Sequence, residues 1–237
     1  MSKKPAGRFA WVKWIFIVPT AIFLAVQLYF FVQIWWWVDH NPGMTAFMRQ
    51  QQAELREKDP KANIRQQWVD YKDISVNLKR AVIASEDANF AEHEGVDWDA
   101  LQKAYAYNQK RKNGRKIHGG STLTQQLAKN LFLSGARSYW RKGQELIITY
   151  MLEALMDKRR IFEIYLNVAE FGKGIFGAEA AARHYYRVPA ARLSAEQGAR
   201  LAVMLPRPRY FDAHQDSAYL ARRTGIILQR MNSAELP

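Results

Sequence analysis

The sequence contains no cysteine, and this absence excludes disulfide bonds, a thiolate nucleophile and cysteine-based metal sites. Acidic residues are also scarce relative to basic ones, with 22 Asp and Glu against 35 Lys and Arg, a formal net charge of +13. Such a balance is typical of proteins that bind nucleic acid, an anionic membrane surface or a polyanionic substrate.

Convincing strand alternation is absent after Tyr71, where helical periodicity dominates, so we predict a mainly α fold.

One long apolar run is present near the N-terminus. No charged residue occurs between Trp14 and Val38, and 25 helical residues span about 37 Å, enough to cross a hydrocarbon core of about 30 Å. Tryptophans flank both ends, and basic residues precede the run, which predicts a cytoplasmic N-terminus. A cleaved signal peptide is the alternative, but its apolar region would be shorter and no small-x-small cleavage site follows. We therefore predict an uncleaved transmembrane helix.

The chain divides into four predicted segments: a basic cytoplasmic tail (1–13), the transmembrane helix (14–38), a polar juxtamembrane helix or spacer (39–70) and a globular domain (71–237). Within that domain, the Lys- and Arg-rich stretch from Leu101 to His118 is predicted to be a mobile surface loop. One long helical stretch is predicted over 146–167, followed by a glycine-rich turn. Two further helices follow before Pro206 and Pro208 end the helical pattern.

Glu86 is the first candidate for chemistry. It continues the apolar helical row of Leu78 and Val82, so its carboxylate should point inward, which is costly unless the group is hydrogen-bonded, paired or functional. A helix-terminal charge pair is the alternative to a catalytic role. His93 follows closely, and we interpret it as a structural hydrogen-bonding residue because no HExxH-like metal spacing accompanies it. Glu163 is similarly interpreted as a structural polar anchor.

A second candidate is the segment GGSTLTQQLAKN, which begins at Gly119. A glycine-led helix N-terminus offers free N–H groups to anions, and hydroxyl and amide side chains can bind sugar hydroxyls. Thr122 and Gln125 have the spacing of a capping box. A well-capped helix would explain Ser121 and Thr122, but not Gln125, Gln126 and Lys129 together.

Cations are concentrated immediately after this segment. Arg137, Arg141 and Lys142 precede Glu145, and three cations close to Lys129 suit a diphosphate group. Arg141 and Glu145 lie four residues apart, so a simple surface salt bridge would also account for that pair.

In this order, the motifs resemble those of the peptidoglycan glycosyltransferases of glycosyltransferase family 51, which form the transglycosylase domain of bifunctional penicillin-binding proteins. The matching positions are Glu86, Asp87, Phe90, His93 and Gly95; Gly119 through Asn130; Arg141, Lys142 and Glu145; and Ile161, Glu163, Tyr165, Leu166 and Asn167. The resemblance covers about Ile74 to Tyr210. Two departures are Gly143, unusual within a helix, and Arg187, where glycine is expected.

The resemblance implies a lysozyme-like helical domain with a smaller mobile jaw subdomain behind one transmembrane helix. It implies Glu86 as catalytic base, Glu145 as a second essential carboxylate, and Lys129 and Arg137 as stabilisers of the leaving diphosphate, with Arg141 and Lys142 nearby. The implied substrate-binding residues of the second motif are Ser121, Thr122, Gln125, Gln126 and Asn130. No metal-ligating residues are predicted; a divalent cation, Mg²⁺ or Mn²⁺, at the diphosphate is compatible with the family, although no spacing requires one.

The implied reaction polymerises lipid II into β-1,4-linked glycan strands, with inversion and release of undecaprenyl diphosphate. No set of S-x-x-K, S-x-N and K-T-G elements fits, so a monofunctional enzyme without transpeptidase activity is expected. Expected partners are lipid II, the growing lipid-linked glycan chain, the membrane and other cell-wall synthesis or division proteins. The expected location is the bacterial inner membrane, with a periplasmic catalytic domain. Two alternatives are a lysozyme-like enzyme that cleaves glycans and a non-catalytic scaffold; a nucleic-acid binder conflicts with the anchor.

Overall fold

The computed structural model describes residues 12–110, 119–133 and 138–237. In this part of the chain, helices dominate, as the sequence predicts. The helices are α1 (Val12–Trp36), α2 (Ala46–Lys58), α3 (Val76–Glu86), α4 (Trp98–Gln109), α5 (Leu123–Phe132), α6 (Tyr139–Leu155), α7 (Lys158–Val168), α8 (Ala178–Tyr186), α9 (Ala195–Met204), α10 (Pro208–Ala213) and α11 (Ala218–Arg230). The strands are β1 (Arg65–Gln66), β2 (Glu170–Gly172) and β3 (Ile175–Phe176).

The core is formed by helices that pack their apolar faces against one another. Helix α3 lies on α9, which in turn packs on α11, while α5 packs between α6 and α7. The largest fully buried side chains come from α1, α2, α3, α5 and α7, from strands β2 and β3, and from the segments on either side of α3. Because α3 ends and α5 begins inside this arrangement, the residues at these two helix ends are held in place by the core.

A small sheet occupies one side of the domain, with strand order β1-β3-β2. Strands β2 and β3 are antiparallel and form the glycine-rich turn that the sequence predicts, while β1 pairs in parallel with β3. Gly174 in this hairpin has φ +72°, a conformation that glycine adopts without steric cost. Strand β1 belongs to the segment 39–70, which also contains α2, a helix packed on α5. This segment therefore lies against the domain.

Three predictions about local structure were wrong. The predicted surface loop over 101–118 is helical as far as Gln109, because Asp97 caps α4 by accepting a hydrogen bond from the Ala100 N–H at 2.7 Å. Helix α4 has no buried residue, and its large apolar side chains Trp98, Leu101 and Tyr105, which have helical spacing, are exposed. Residues 111–118 of the predicted loop lie outside the described residues.

The other two errors concern helix boundaries. The long stretch over 146–167 is two helices, because the Asp157 side chain accepts a hydrogen bond from the Arg160 N–H and starts α7. The helical pattern also continues beyond the prolines: Pro208 occupies the first turn of α10, where a missing N–H costs nothing. At the end of α8, Arg187 has φ +57° and takes the left-handed position where glycine is expected.

Helix α1 carries the predicted anchor. The span Lys13–Trp36 is long and apolar enough to cross a membrane, with a mean hydropathy of 2.3. Phe23 and Gln27, near the middle of the helix, contact α6, and Phe30 packs against the aromatic ring of Phe132 in α5. The helix therefore does not stand free of the domain but begins to pack on it before it ends.

Two helical glycines allow the packing of α9 on α3 to be tested. A Cβ at Gly198 would lie 2.9 Å from the Leu78 backbone nitrogen, whereas a Cβ at Gly225 in α11 would meet nothing within 4 Å. We expect Gly198→Ala to lower the free energy of unfolding by about 1–3 kcal/mol, because the α3 backbone must shift. Gly225→Ala should raise it by about 0.5–1 kcal/mol. Thermal unfolding of the two purified variants checks this, and equal effects in both would contradict the close α3–α9 contact.

Candidate active site

Glu86 is the last residue of α3, and its carboxylate is partly buried. The side chain points inward as its position after Leu78 and Val82 predicts, and both of those residues are fully buried. Its Oε2 accepts a hydrogen bond from Gln126 Nε2 at 3.0 Å. The helix end thus presents an acid with a fixed direction to a site beside α5.

Burial raises the pKa of Glu86 above its ordinary value of 4.5. The hydrogen bond from Gln126 opposes this rise, the charge of Asp87 adds to it, and the cations Lys129 and Arg223 oppose it, with a net upward shift. A carboxylate with a raised pKa is a stronger base at neutral pH than an ordinary one, which suits it to remove a proton from a hydroxyl.

Tyr165 fixes the orientation of Gln126. The tyrosine is 1% exposed, and its hydroxyl donates a hydrogen bond to Gln126 Oε1 at 3.2 Å. Burial raises the pKa of Tyr165 well above its ordinary value, so the hydroxyl keeps its proton and remains a donor. Because the amide oxygen is engaged by Tyr165, the amide NH₂ is directed at Glu86 and favours the ionised carboxylate.

Asp87 joins the end of α3 to the start of α5. Its Oδ2 accepts a hydrogen bond from the Leu123 N–H at 2.9 Å, and His93 Nε2 lies 2.9 Å from its Oδ1. His93 is therefore a structural hydrogen-bonding residue, as predicted. Gly95 completes this turn with φ +84°, and its carbonyl accepts a hydrogen bond from the Thr122 hydroxyl at 2.6 Å.

The first turn of α5 uses much of its polar chemistry internally. Thr122 and Gln125 form the capping box that their spacing predicts, and both side chains are buried. The cap thus accounts for Gln125, but not for Gln126 and Lys129. Ser121 is exposed and Gln126 faces Glu86, whereas Asn130 is buried farther along α5. Ser121, directly before the N-cap of α5, is the polar residue of this motif that is exposed to solvent.

A cation and an acid face the same region from α6. Lys142 Nζ donates to Glu145 Oε1 at 2.5 Å and to Ser121 Oγ at 3.4 Å. Glu145 is 5% exposed, so this ion pair provides the neutralising charge that a buried carboxylate needs. The alternative of a surface salt bridge between Arg141 and Glu145 was wrong, since Glu145 pairs with Lys142, three residues away.

Glu86 and Ser121 border a cleft of about 180 Å³. Its lining residues are Glu86, Asp87, Ala88, Asn89, Asp97, Ala100, Gly119, Gly120, Ser121 and Thr122. The cleft joins the base candidate to Ser121, and Ser121 in turn contacts Lys142. The predicted cation Arg137 lies outside the described residues. Within the described ranges, no group of three or more acidic or histidine side chains could hold a metal ion.

Sequence reasoning missed two contributors to this site. Arg223, on α11, lies close enough to affect the Glu86 carboxylate, although 137 residues separate them in the chain. Tyr165 was noted as part of a motif, but its contact with Gln126 was not predicted. Neither relation leaves a local pattern in the sequence, because both arise when distant helices pack together.

Comparison with known proteins gives consistent results over the whole chain. Residues 51–232 match the sequence profile of the family described as Transglycosylase. The chain is 68% identical over 224 residues to a biosynthetic peptidoglycan transglycosylase from Janthinobacterium sp. (strain Marseille), covering 94% of this chain and 96% of that protein. It is also 56% identical to a protein of the same name from Bordetella pertussis (strain Tohama I), with 100% of both chains covered.

The orienting role of Tyr165 can be measured on Glu86 itself. In Tyr165→Phe, the Gln126 amide loses the donor that holds its oxygen and can turn that oxygen towards Glu86, which favours the protonated acid. We expect the pKa of Glu86 to rise by up to about one pH unit, equivalent to about 1.4 kcal/mol. Carbon-13 NMR titration of the labelled carboxyl checks this. Tyr71→Phe, whose hydroxyl bonds the Pro237 carbonyl instead, is the control; equal pKa values in both variants would refute the role.

Proposed function

The chain belongs to the peptidoglycan transglycosylases, and from this membership we propose that it polymerises lipid II into β-1,4-linked glycan strands and releases undecaprenyl diphosphate. The observation that carries the proposal is the placement of Glu86. Its carboxylate is held by Gln126 at a cleft that Ser121 also lines, and Ser121 contacts Lys142, the partner of Glu145. A base and a cation beside one cleft are the two groups that such a transfer requires.

Glu86 acts on the acceptor. The 4-hydroxyl of the acceptor sugar is a weak nucleophile at neutral pH, and the carboxylate removes its proton as the oxygen attacks the anomeric carbon of the donor. The new carbon–oxygen bond forms while the bond from the anomeric carbon to the diphosphate breaks, and Glu86 holds the proton. Because attack comes from the face opposite the diphosphate, an α-linked donor gives a β-linked product.

Cations act on the leaving group. The departing diphosphate gains negative charge in the transition state, and positive side chains placed in advance stabilise that charge. Lys142 is the cation beside the cleft, while Lys129 lies near Glu86 and Arg141 is on the same helix as Lys142. Arg137 joins them by family resemblance.

Glu145 positions Lys142 in this scheme. A buried carboxylate bonded to Lys142 Nζ restricts a long, flexible side chain to one direction, towards Ser121 and the cleft. The second essential carboxylate of the family thus acts on the leaving group through a lysine. Ser121, Gln126 and Asn130 remain proposed substrate-binding residues, whereas Thr122 and Gln125 contribute through the helix cap.

The membrane context follows from α1. A single-pass anchor with a cytoplasmic N-terminus would place the catalytic domain on the periplasmic side of the inner membrane, where lipid-linked substrates reach it by diffusion in two dimensions. The basic surface suits anionic headgroups. We propose no transpeptidase activity, and cell-wall synthesis or division proteins as partners.

The role of Glu86 is tested with labelled lipid II and purified protein. We expect Glu86→Gln to slow polymerisation by about 10²–10⁴-fold, because the amide cannot accept the proton. Glu92→Gln, an exposed acid in the following turn, is the matched control and should retain the wild-type rate. Unchanged polymer from Glu86→Gln would favour a scaffold, and shortening of preformed glycan without any polymer would favour a cleaving enzyme.

The role of Glu145 is tested with a double-mutant cycle. We expect Lys142→Met and Glu145→Gln each to lower kcat by about 10²-fold, typical of removing one preorganised electrostatic group. If Glu145 acts through Lys142, the double variant should be no slower than Lys142→Met alone. Single-turnover rates with labelled lipid II measure the three variants. Multiplicative losses would show that the two residues act independently.

A further inference from the structure

Gln27 is a polar residue near the middle of the apolar helix α1. Its side chain is 9% exposed, and it exchanges two hydrogen bonds with Gln144 of α6, which is 8% exposed. Gln27 Nε2 donates to Gln144 Oε1 at 3.0 Å, and Gln144 Nε2 donates to Gln27 Oε1 at 2.8 Å. An amide without such partners in an apolar environment costs several kcal/mol. The pair therefore strongly favours the arrangement in which the two helices lie side by side.

The residues around Gln27 form a continuous seam. The seam consists of side chains of α1, and of the residue directly after it, that face the domain at alternating intervals of four and three residues. These residues are Phe23, Gln27, Phe30, Ile34 and Trp37. The ring centroid of Phe23 lies 6.1 Å from that of Trp140. The ring centroids of Phe30 and Trp37 lie 4.8 and 5.2 Å from that of Phe132. Ile34 is fully buried. This spacing is the heptad pattern of coiled coils.

In such a seam a single buried polar pair selects the register, because apolar side chains alone tolerate sliding. A slide of one helical turn, about 5.4 Å, would break both amide bonds. A rotation by one residue would have the same effect. The seam is closed beyond α1 by Arg160, which donates hydrogen bonds to the carbonyls of Trp37 and His40 at 3.0 and 2.7 Å.

The register matters because Gln144 directly precedes Glu145. The face of α6 that carries Gln144 contacts the anchor, while Lys142 and Glu145 face Ser121 and the cleft. Trp140 and Tyr139, 74% and 99% exposed, extend the apolar surface beside Phe23. Helix α6 thus connects the anchor with the charged side of the site.

We propose that Gln27 and Gln144 form a register pin that fixes the anchor against α6 and so sets the position of the Lys142–Glu145 pair relative to the membrane. Helix α1 is then a structural part of the catalytic domain, and its C-terminal half, from Gln27 onward, moves with α6 as one unit. Only the activity test of this proposal rests on the proposed function; the cross-linking test does not. Polar pairs of this kind are also effective between helices within a membrane.

The contact is tested by chemical cross-linking in phospholipid vesicles. Since the chain has no cysteine, Gln27→Cys combined with Gln144→Cys introduces the only two thiols. We expect a short bifunctional thiol reagent to join them efficiently. Tyr29→Cys with Gln144→Cys is the control, because Tyr29 lies about 200° around α1 from Gln27 and is 58% exposed. Equal cross-linking in both proteins would overturn the proposal, whether or not the protein polymerises lipid II.

The positioning role is tested by activity in the same vesicles. We expect Gln27→Leu to lower the polymerisation rate by about three- to tenfold, the range expected for one interhelical polar pair. Gln33→Leu, at the other glutamine of α1, should leave the rate unchanged. Cross-linking the 27/144 double cysteine protein should restore a rate near that of the wild type.

The outcomes are distinguishable. If Gln27→Leu keeps the full rate, or if the cross-link does not restore it, the positioning role is refuted even though the helices touch. A thermal midpoint equal to that of the wild type shows that Gln27→Leu is folded. If the midpoint is lowered, recovery of the polymerisation rate on cross-linking the 27/144 double-cysteine protein decides whether the pair has a positioning role. If the wild type itself makes no polymer, the proposed function fails, and the cross-link alone decides whether the pin exists.

Discussion

The hydrogen bond between Gln126 and Glu86 is the interaction on which the site depends. An acid at the partly buried end of a helix is costly to ionise, and the amide of Gln126 offsets part of that cost. The bond requires α3 and α5 to meet at their ends, which Asp87 ensures by accepting the Leu123 N–H. It also requires the amide to face one way, which the buried hydroxyl of Tyr165 ensures. Three helices therefore cooperate to keep one carboxylate both partly desolvated and available.

The Lys142–Glu145 pair, which reaches the cleft through Ser121, follows the same physical rule that a buried carboxylate needs a partner. Glu145 is buried more completely than Glu86, and the structure neutralises it with Lys142 rather than with a neutral amide. The two carboxylates thus receive different partners and different roles. One keeps a raised pKa and can exchange a proton, while the other holds a cation towards the cleft. Helix α6 carries this second group on one face and contacts the apolar helix α1 through Gln144 on another, so α6 connects α1 with the charged side of the site.

Local patterns in the sequence predicted local structure well. The capping box of Thr122 and Gln125 follows from two residues three positions apart, and the inward direction of Glu86 follows from Leu78 and Val82. Helix α4 was missed because its residues run into the Lys- and Arg-rich stretch that follows, although Trp98, Leu101 and Tyr105 have helical spacing. Relations across the chain were beyond prediction: Gln27 and Gln144 are 117 residues apart and Gln126 and Tyr165 are 39 apart. Such pairs become visible only when packing brings their helices together.

The central claim is that Glu86 works as a base whose pKa is raised by burial, and the pH dependence of polymerisation tests it most directly. A base must be ionised to act, so the rate should be full above the raised pKa and fall as the pH drops through it. The account predicts that kcat for lipid II polymerisation declines on the acid side with a midpoint above 4.5, the ordinary value for Glu, and that Glu86→Gln abolishes this decline. A midpoint at or below 4.5, or the same decline in Glu86→Gln, would contradict it.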